Sequence, residues 1–316
     1  PLRRDIVDEF IYQYQTFCQF RSRVKSRSNE ELHMLKESPQ VWAVSKVLHY
    51  LQAVVDKSGI KACLRGDDAG SQAAFAASPL YKMLGYFSMV GLLRMHCLLA
   101  DYRLALRCVA EIDLGRKGPE PHGLYTRVTA CHITVFYYVG WAYLMLRRYS
   151  DAITTFSTIL FYIARTKQYH TRSYQYDQII KKNEQMYALL AIASSLSPQR
   201  ELDESLALTL REKYGDRLGR MQGGDATAYE ELFSMACPKF ISPAPPPYDS
   251  LPEGYNPTEA YRLQLRLFLH EVAQQKALPG IRSYLKLYTT VGVPKLATLA
   301  ETDDAAFREH LQCLKH

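Results

Sequence analysis

The residues of this sequence that could do chemistry lie in three short motifs, and each motif lacks a required part. The run 270–274 (HEVAQ) resembles half of a zinc-protease helix, but Gln274 stands where the second histidine would be, and one histidine cannot hold the metal. Cys131 and His132 could pair as nucleophile and base, but adjacent residues of a helix point apart. Residues 65–67 (RGD) match an adhesion tripeptide without any other extracellular signature.

The remaining catalytic and metal-binding signatures are not found in the sequence. There is no glycine-rich phosphate loop, no Gly-x-Ser-x-Gly elbow and no paired-cysteine metal site. The seven cysteines are scattered and odd in number, which favours reduced thiols in the cytosol over a disulfide framework or a zinc module. We therefore expect a cytoplasmic protein that is not an enzyme and has no catalytic residues, no metal and no cofactor.

Contact with RNA phosphates is the chemistry that the basic residues could provide. The densest basic run is RSRVKSR, which contains Arg21, Arg23, Lys25 and Arg27. The net charge of +7 is moderate for 316 residues, so it permits an acidic partner such as RNA without requiring one. Basic clusters usually form a solvated helix end, and both interpretations stay open. In either case we expect the run to be exposed to solvent.

Helices must position these residues. Proline and glycine cluster in a few places, and apolar residues recur at helical spacing, which favours an all-α fold over a β-sandwich. Residues 58–78 lack this periodicity and predict a flexible loop. The apolar run 133–146 is shorter than the roughly 20 residues that a membrane span needs, so it predicts a buried helix and no membrane contact. Helices are predicted from residue 5, from Pro39 and from Pro79. A further helix is predicted over 128–146, and its β-branched start is the least certain part of that pattern. The remaining predicted helices are 176–196, 203–214, 226–236, 258–276, 281–289, 294–300 and 303–315.

An internal repeat relates two of these helical segments. Residues 98–106 align with residues 145–153, which lie 47 positions later, and each unit reads as a long helix, a turn carrying tyrosine and a return helix. The spacing of small and aromatic residues in the second unit is typical of tetratricopeptide repeats. Small residues let two helices approach closely, so we expect Gly140 and Ala152 to be buried and to face each other.

The chain is predicted to have two parts. Residues 1–256 form a helical-repeat bundle that ends in a proline-rich segment, residues 237–257, which predicts an extended linker. Residues 257–316 contain the last bundle helix and three short helical patterns, which suggest a helix-turn-helix core. The apolar stripe of these short helices is the candidate partner interface, because exposed stripes of that size are rarely left uncovered. Its members are Leu296, Leu299, Phe307, Leu311 and Leu314.

Several long runs resemble one known family. They are residues 79–102 (PLYKMLGYFSMVGLLRMHCLLADY), 136–153 (FYYVGWAYLMLRRYSDAI), 183–193 (NEQMYALLAIA), 210–216 (LREKYGD), 229–243 (YEELFSMACPKFISP) and 281–290 (IRSYLKLYTT). These runs are similar to the L-subunit family of eukaryotic translation initiation factor 3, over nearly the whole chain. That family carries a PCI domain, a helical-repeat bundle that leads into a winged helix. The resemblance implies a truncated winged helix here, with its three helices and without the strands that should follow residue 316.

The resemblance also implies a function. It indicates a non-catalytic scaffold subunit that acts in assembly of the translation preinitiation complex on the small ribosomal subunit, with subunits K and E of the same factor as neighbours and rRNA as a candidate contact. The alternative is a helix-turn-helix nucleic-acid binder with the bundle as a support. A base-reading helix needs Arg, Lys, Asn or Gln at its exposed start. The last helix begins instead with Asp303 and Asp304, which would repel phosphate, so the scaffold is favoured.

Overall fold

The computed structural model describes residues 2–66, 75–112, 114, 128–170, 176–198 and 202–315. In these parts of the chain every regular element is a helix and no strand is assigned, which confirms the predicted all-α fold. The helices are α1 (Leu2–Ser22), α2 (Asn29–Glu37), α3 (Val44–Ser58), α4 (Ile60–Arg65), α5 (Pro79–Leu98), α6 (Tyr102–Cys108), α7 (Thr129–Met145), α8 (Tyr149–His170), α9 (Tyr176–Leu196), α10 (Glu204–Gln222), α11 (Ala226–Ala236), α12 (Glu259–Leu287), α13 (Val293–Leu299) and α14 (Asp304–Lys315). A short 3-10 helix, Val24–Ser26, follows α1.

Local side-chain chemistry explains where several helices begin. Ser28 and Glu31 form a reciprocal capping box at the start of α2, so two backbone N–H groups that the helix leaves open are bonded. Aspartates perform the same task for α6, α10 and α11, where Asp101, Asp203 and Asp225 each accept a bond from a backbone N–H of the first turn. These caps fix the helix starts without help from distant parts of the chain.

The structure confirms the 47-residue repeat, most clearly in its turns. Ala100 ends α5 with φ 64° and Arg147 ends α7 with φ 64°, the left-handed conformation that closes a helix C-terminus. The amide of the next residue then bonds back to the helix in both units, from Asp101 to the His96 carbonyl at 2.8 Å and from Arg148 to the Tyr143 carbonyl at 2.9 Å. Identical turns 47 positions apart give the hairpins α5–α6 and α7–α8 the same reversal.

The core of the bundle surrounds α7 and α9. α7 is buried on nearly all sides, and its Trp141 packs against Phe233 and Phe240 at ring-centroid distances of 5.3 and 5.9 Å. Gly140 and Ala152 are both buried, as predicted, but the side chain nearest to Gly140 belongs to Phe156, one turn beyond Ala152. The facing of Gly140 and Ala152 stays a prediction, and the structure adds the Phe156 ring as a close neighbour of the glycine. The glycine makes room for an aromatic ring.

Several predicted boundaries differ from the structure. The helix expected from Pro39 begins at Val44, after a turn, because α2 occupies the residues before it. The loop predicted over 58–78 includes the end of α3 and all of α4, and its residues 67–74 lie outside the described residues. The β-branched start of the 128–146 segment is helical, as predicted, because most of its side chains from Ala130 on are buried against neighbouring helices, and such packing overrides intrinsic propensity. The helix predicted over 203–214 runs to Gln222 with a kink at Tyr214.

The C-terminal helices form a second, smaller core. The helix predicted at 281–289 is the end of α12, which runs without a break through Pro279. Phe268 and Val272 of α12 belong to the large bundle core, and Leu278 and Ile281 belong to the small one. The second core is completed by residues of α13 and α14. One long helix therefore connects the two cores. None of the helices in the described part of the chain combines the length and apolarity that a membrane crossing requires.

Candidate interaction surfaces

The basic run 21–27 is only partly on the surface. Arg23 and Lys25 are exposed, Arg27 is half-buried and lies 4.2 Å from the Phe20 ring, and Arg21 is buried. The predicted exposure of the whole run is therefore wrong for Arg21. The reason is tertiary, because the proline-rich segment lies across the end of α1 and covers this side chain. Two of the four candidate RNA contacts, Arg23 and Lys25, face solvent freely.

The proline-rich segment is a strap fastened to the bundle and not a free linker. The Arg21 guanidinium donates to the carbonyls of Ser242 and Pro243 at 3.0 and 3.1 Å. The Ile241 amide donates to the Leu98 carbonyl at 3.1 Å, and the Tyr255 hydroxyl donates to the carbonyl that ends α1 at 2.8 Å. The predicted non-helical backbone is found over residues 238–257, and the structure adds the contacts that hold this segment against the bundle. A strap of this kind ties the N-terminal helix to the start of α12.

A groove of about 690 Å³ lies between this strap and the first turns of α12. The strap prolines form one wall, Leu98 to Ala100 line the base, and Ala260 and Leu263 contribute from α12. Prolines restrict backbone freedom, so this wall is preformed. The groove opens toward the outer face of α12, where Leu263 and Leu267 are 49% and 48% exposed.

Sequence reasoning missed this outer face of α12. It identified the inward stripe of Tyr261, Leu265, Phe268 and Val272, which the structure places in or against the bundle core. Leu263 and Leu267 lie on the opposite side of the helix. The sequence did contain a signal for this face: two leucines lie four residues apart and off the core stripe. Residues at that spacing share one helix face.

The predicted partner interface on the C-terminal helices is largely internal. Phe307 and Leu296 are buried in the small core, and Leu311 and Leu314 pack against it. Leu299 is the exposed member of the stripe. Partner contact through this stripe stays a prediction, and the surface left for it is Leu299 with the half-buried Leu311 and Leu314. The three helices close on each other, and the Tyr284 hydroxyl donates to the Leu299 carbonyl at 2.8 Å.

The structure shows what surrounds each of the chemical motifs noted in the sequence. Burial raises the pKa of the Cys131 thiol to about 12 and lowers the pKa of the neighbouring His132 to about 4. A thiol with that pKa is protonated at neutral pH and is a poor nucleophile. His270 contacts the Gln274 amide at 3.1 Å on the surface of α12, and Arg65 forms an ion pair with Glu111 at 3.1 Å. Asp67 of the tripeptide lies outside the described residues.

A further titratable group, the Lys182 ammonium, was not singled out in the sequence analysis. The Lys182 ammonium lies 3.3 Å from the centre of the Tyr137 ring. Burial lowers its pKa to about 7, and the nearby Arg94 and Lys181 cations act in the same direction. The described cysteines are all free thiols, and the described residues contain no cluster of three or more histidine, cysteine or acidic side chains placed to hold a metal ion.

The fold and its exposed surfaces define the class of this protein. It is an all-α helical-repeat protein of the PCI type. The sequence profile of the Paf67 family, described as RNA polymerase I-associated factor PAF67, matches residues 4–316. The chain belongs to this family. The family match covers the bundle, the strap and the C-terminal helices alike.

Individual relatives share a second name. Proteins named eukaryotic translation initiation factor 3 subunit L from the sea anemone Nematostella vectensis, from Gallus gallus and from Homo sapiens are 49%, 50% and 49% identical to this chain. Each match covers 99% of the chain, and the chain spans 59%, 55% and 55% of the length of these relatives. These names confirm the resemblance seen in the sequence.

Proposed function

We propose that this chain is the part of a translation initiation factor 3 L subunit that serves as a non-catalytic scaffold. In this proposal it acts in the cytoplasm, in assembly of the translation preinitiation complex on the small ribosomal subunit. One observation carries the proposal: about half of the residues are identical, along 99% of the chain, to proteins named subunit L in a sea anemone and in vertebrates. The names of these relatives do not favour the helix-turn-helix alternative.

The structure supports a scaffold role because it presents several exposed surfaces suited to contact with partners. Its surfaces include an exposed basic pair after α1, a strapped groove and exposed leucines on α12. The division into parts is also a proposal: a bundle over residues 1–256, tied by the strap, and a C-terminal part over 257–316 that begins with the last bundle helix. The two hydrophobic cores, which α12 connects, support that division.

Affinity purification tests membership of the complex. The full-length protein that contains this chain is tagged, purified from its own cells and subjected to quantitative mass spectrometry. We expect the other subunits of initiation factor 3 to be enriched together with the small ribosomal subunit, and cross-linking to place subunits K and E next to this chain. Purification without those subunits, while a tagged ribosomal control recovers its own partners, would overturn the proposal.

The exposed basic pair provides a finer test of ribosome contact. Arg23→Ser with Lys25→Ser should weaken small-subunit binding and reduce the slope of log affinity against log salt by about one per lost phosphate contact. Lys46 and Lys57 of α3 are also exposed, so changing both to serine is the matched control. Equal binding by both double variants at every salt concentration would remove rRNA contact from the proposal and leave complex membership untouched.

A further inference from the structure

The outer face of α12 combines apolar and basic side chains in one exposed strip. Leu263 and Leu267 are four residues apart and each is about half exposed, whereas most large apolar side chains of the bundle are buried. Arg262 and Arg266, also four apart, run beside them and are exposed. Residues at this spacing share a helix face, so the leucines and the arginines form two parallel rows.

Within the described residues the basic row is only partly neutralised. Arg262 has one acidic neighbour, Glu259, at 3.8 Å. Arg266 has no ion-pair partner in the described part of the chain, and the next basic side chain of the row, His270, contacts only the Gln274 amide. Glu271, four residues after Leu267, continues the leucine row, and it pairs with Arg147 at 3.1 Å. Arg262 and Arg266 therefore outnumber Glu259 along the strip, while Glu253 and Glu259 stand among the lining residues of the groove.

The strip continues into the groove behind the strap. Ala260, Arg262 and Leu263 line both features, so an apolar side chain lying along the leucine row has a cavity next to it. Helical ligands bind in this way, with apolar residues three or four apart entering a groove and polar residues at its rim. The proline wall keeps the cavity open without a ligand, which lowers the conformational cost of binding.

We propose that the outer face of α12 and the strap groove form a docking site for an acidic amphipathic helix of a partner protein. The partner's leucine-like residues pack on Leu263 and Leu267 and enter the groove, and its carboxylates pair with Arg262 and Arg266. Single-stranded RNA fits less well, because such binding relies on exposed aromatic rings on which bases stack. Tyr261 faces inward and bonds to the Ser234 hydroxyl at 2.7 Å, and the aromatic residues of the groove lining, Phe240 and Tyr255, are only half-buried and not fully exposed.

A synthetic peptide tests the site on the chain itself, independently of any assembly into a larger complex. The probe is a fluorescent helical peptide of about five turns, with leucines on one face and glutamates on the other. Its binding to the full chain is measured by fluorescence anisotropy. Leu263→Gln with Leu267→Gln should weaken binding about tenfold or more, because the leucines of the peptide would lose both apolar side chains that they cover on this face.

The arginine row predicts a different signature. Arg262→Gln with Arg266→Gln should weaken binding and remove most of its salt dependence, because surface charge pairs are screened by salt. The same peptide with lysine in place of glutamate should bind far more weakly to the unchanged chain. Glutamine keeps helix propensity at exposed positions, so the melting temperature of each variant should stay close to that of the parent chain.

Matched controls exist elsewhere on the chain. Leu208 of α10 is 57% exposed, and Arg103 of α6 is exposed, so Leu208→Gln and Arg103→Gln remove the same side chains from other surfaces. Both should leave peptide binding unchanged. The proposal is overturned if the acidic peptide does not bind, if the lysine peptide binds equally well, or if the leucine variant binds like the controls. Binding of a single-stranded RNA oligonucleotide that depends on the arginines and not on the leucines would also overturn it.

Discussion

The two hydrophobic cores of this chain differ in size and in how completely they enclose their side chains. The bundle core runs from α1 to the middle of α12 and includes Trp141 and Tyr137 with no exposed surface. The small core consists of Leu278, Ile281, Leu296, Ala297 and Phe307, with a few half-buried neighbours. Beside it, Leu287 at the end of α12 is 77% exposed.

The two cores show that a segment can form a regular helix without burying much apolar surface. α13 and α14 are as regular as the helices of the bundle, but they have few apolar partners. Since most helical stability in proteins comes from packing of the apolar face, the C-terminal part should open more readily than the bundle. Pro279 lies in α12 between the two cores and removes one backbone hydrogen bond from the connection.

The largest expected effect comes from the centre of the bundle. Trp141→Ala removes a fully buried ring that packs on Phe233 and Phe240, and it should lower the free energy of unfolding of the bundle by about 3–5 kcal/mol. Denaturant melting measures the loss. Leu208→Ala, at an exposed site, should change it little. A loss below about 1 kcal/mol would contradict the packing described for α7.

Phe307→Ala should break the small core and leave the large one intact. The ring is fully buried there, and removing such a ring costs about 3–5 kcal/mol, which the few remaining contacts of this core cannot offset. Hydrogen exchange should then show loss of protection in α13 and α14, while α7 and α9 keep theirs. Equal loss of protection in α7 would show that the two cores unfold as one unit and would contradict the lower stability expected for the C-terminal part.

Acid should weaken the bundle through His132. Its pKa in the folded protein is about 4, against an ordinary value of 6.5, because burial opposes protonation. The unfolded chain therefore takes up the proton first, so this contribution to stability is complete above about pH 6.5 and is lost as the pH falls toward 4. The shift corresponds to about 3 kcal/mol. Denaturant melts of the parent chain and of His132→Leu between pH 7 and pH 4 measure it, and parallel pH dependence of the two would contradict it.

The smallest effect concerns the close helix approach in the second repeat hairpin. A side chain at Gly140 would clash with the Phe156 ring, so Gly140→Leu should cost about 1–3 kcal/mol by overpacking. Gly219 of α10 has open space around it, and Gly219→Ala should instead stabilise the protein by about 0.5–1 kcal/mol. Thermal melting compares the two variants. Opposite signs are expected, and a harmless Gly140→Leu would mean that α7 and α8 are packed more loosely.

The sequence by itself predicted most of the helices, the repeat and the family resemblance, although not α2 or α4. Apolar residues at helical spacing and the matching segments around Tyr102 and Tyr149 are local signals, because they depend on residues within one or two turns. The structure added that Ala100 and Arg147 share the same left-handed turn. The resemblance relied on long runs of residues and likewise needed no knowledge of contacts.

Only the tertiary structure decided which of the predicted surfaces are exposed. Arg21 is buried because it donates to the carbonyl of Ser242, 221 positions away in the sequence. Phe307 is enclosed by helices that start up to some 50 residues earlier, and Gly140 faces a ring on the next helix. The leucines Leu263 and Leu267 of α12 lie off the core stripe in the sequence, but only the structure shows that they are about half exposed. The physical reason is that periodicity encodes which residues share a helix face, whereas burial depends on what distant segments place against that face.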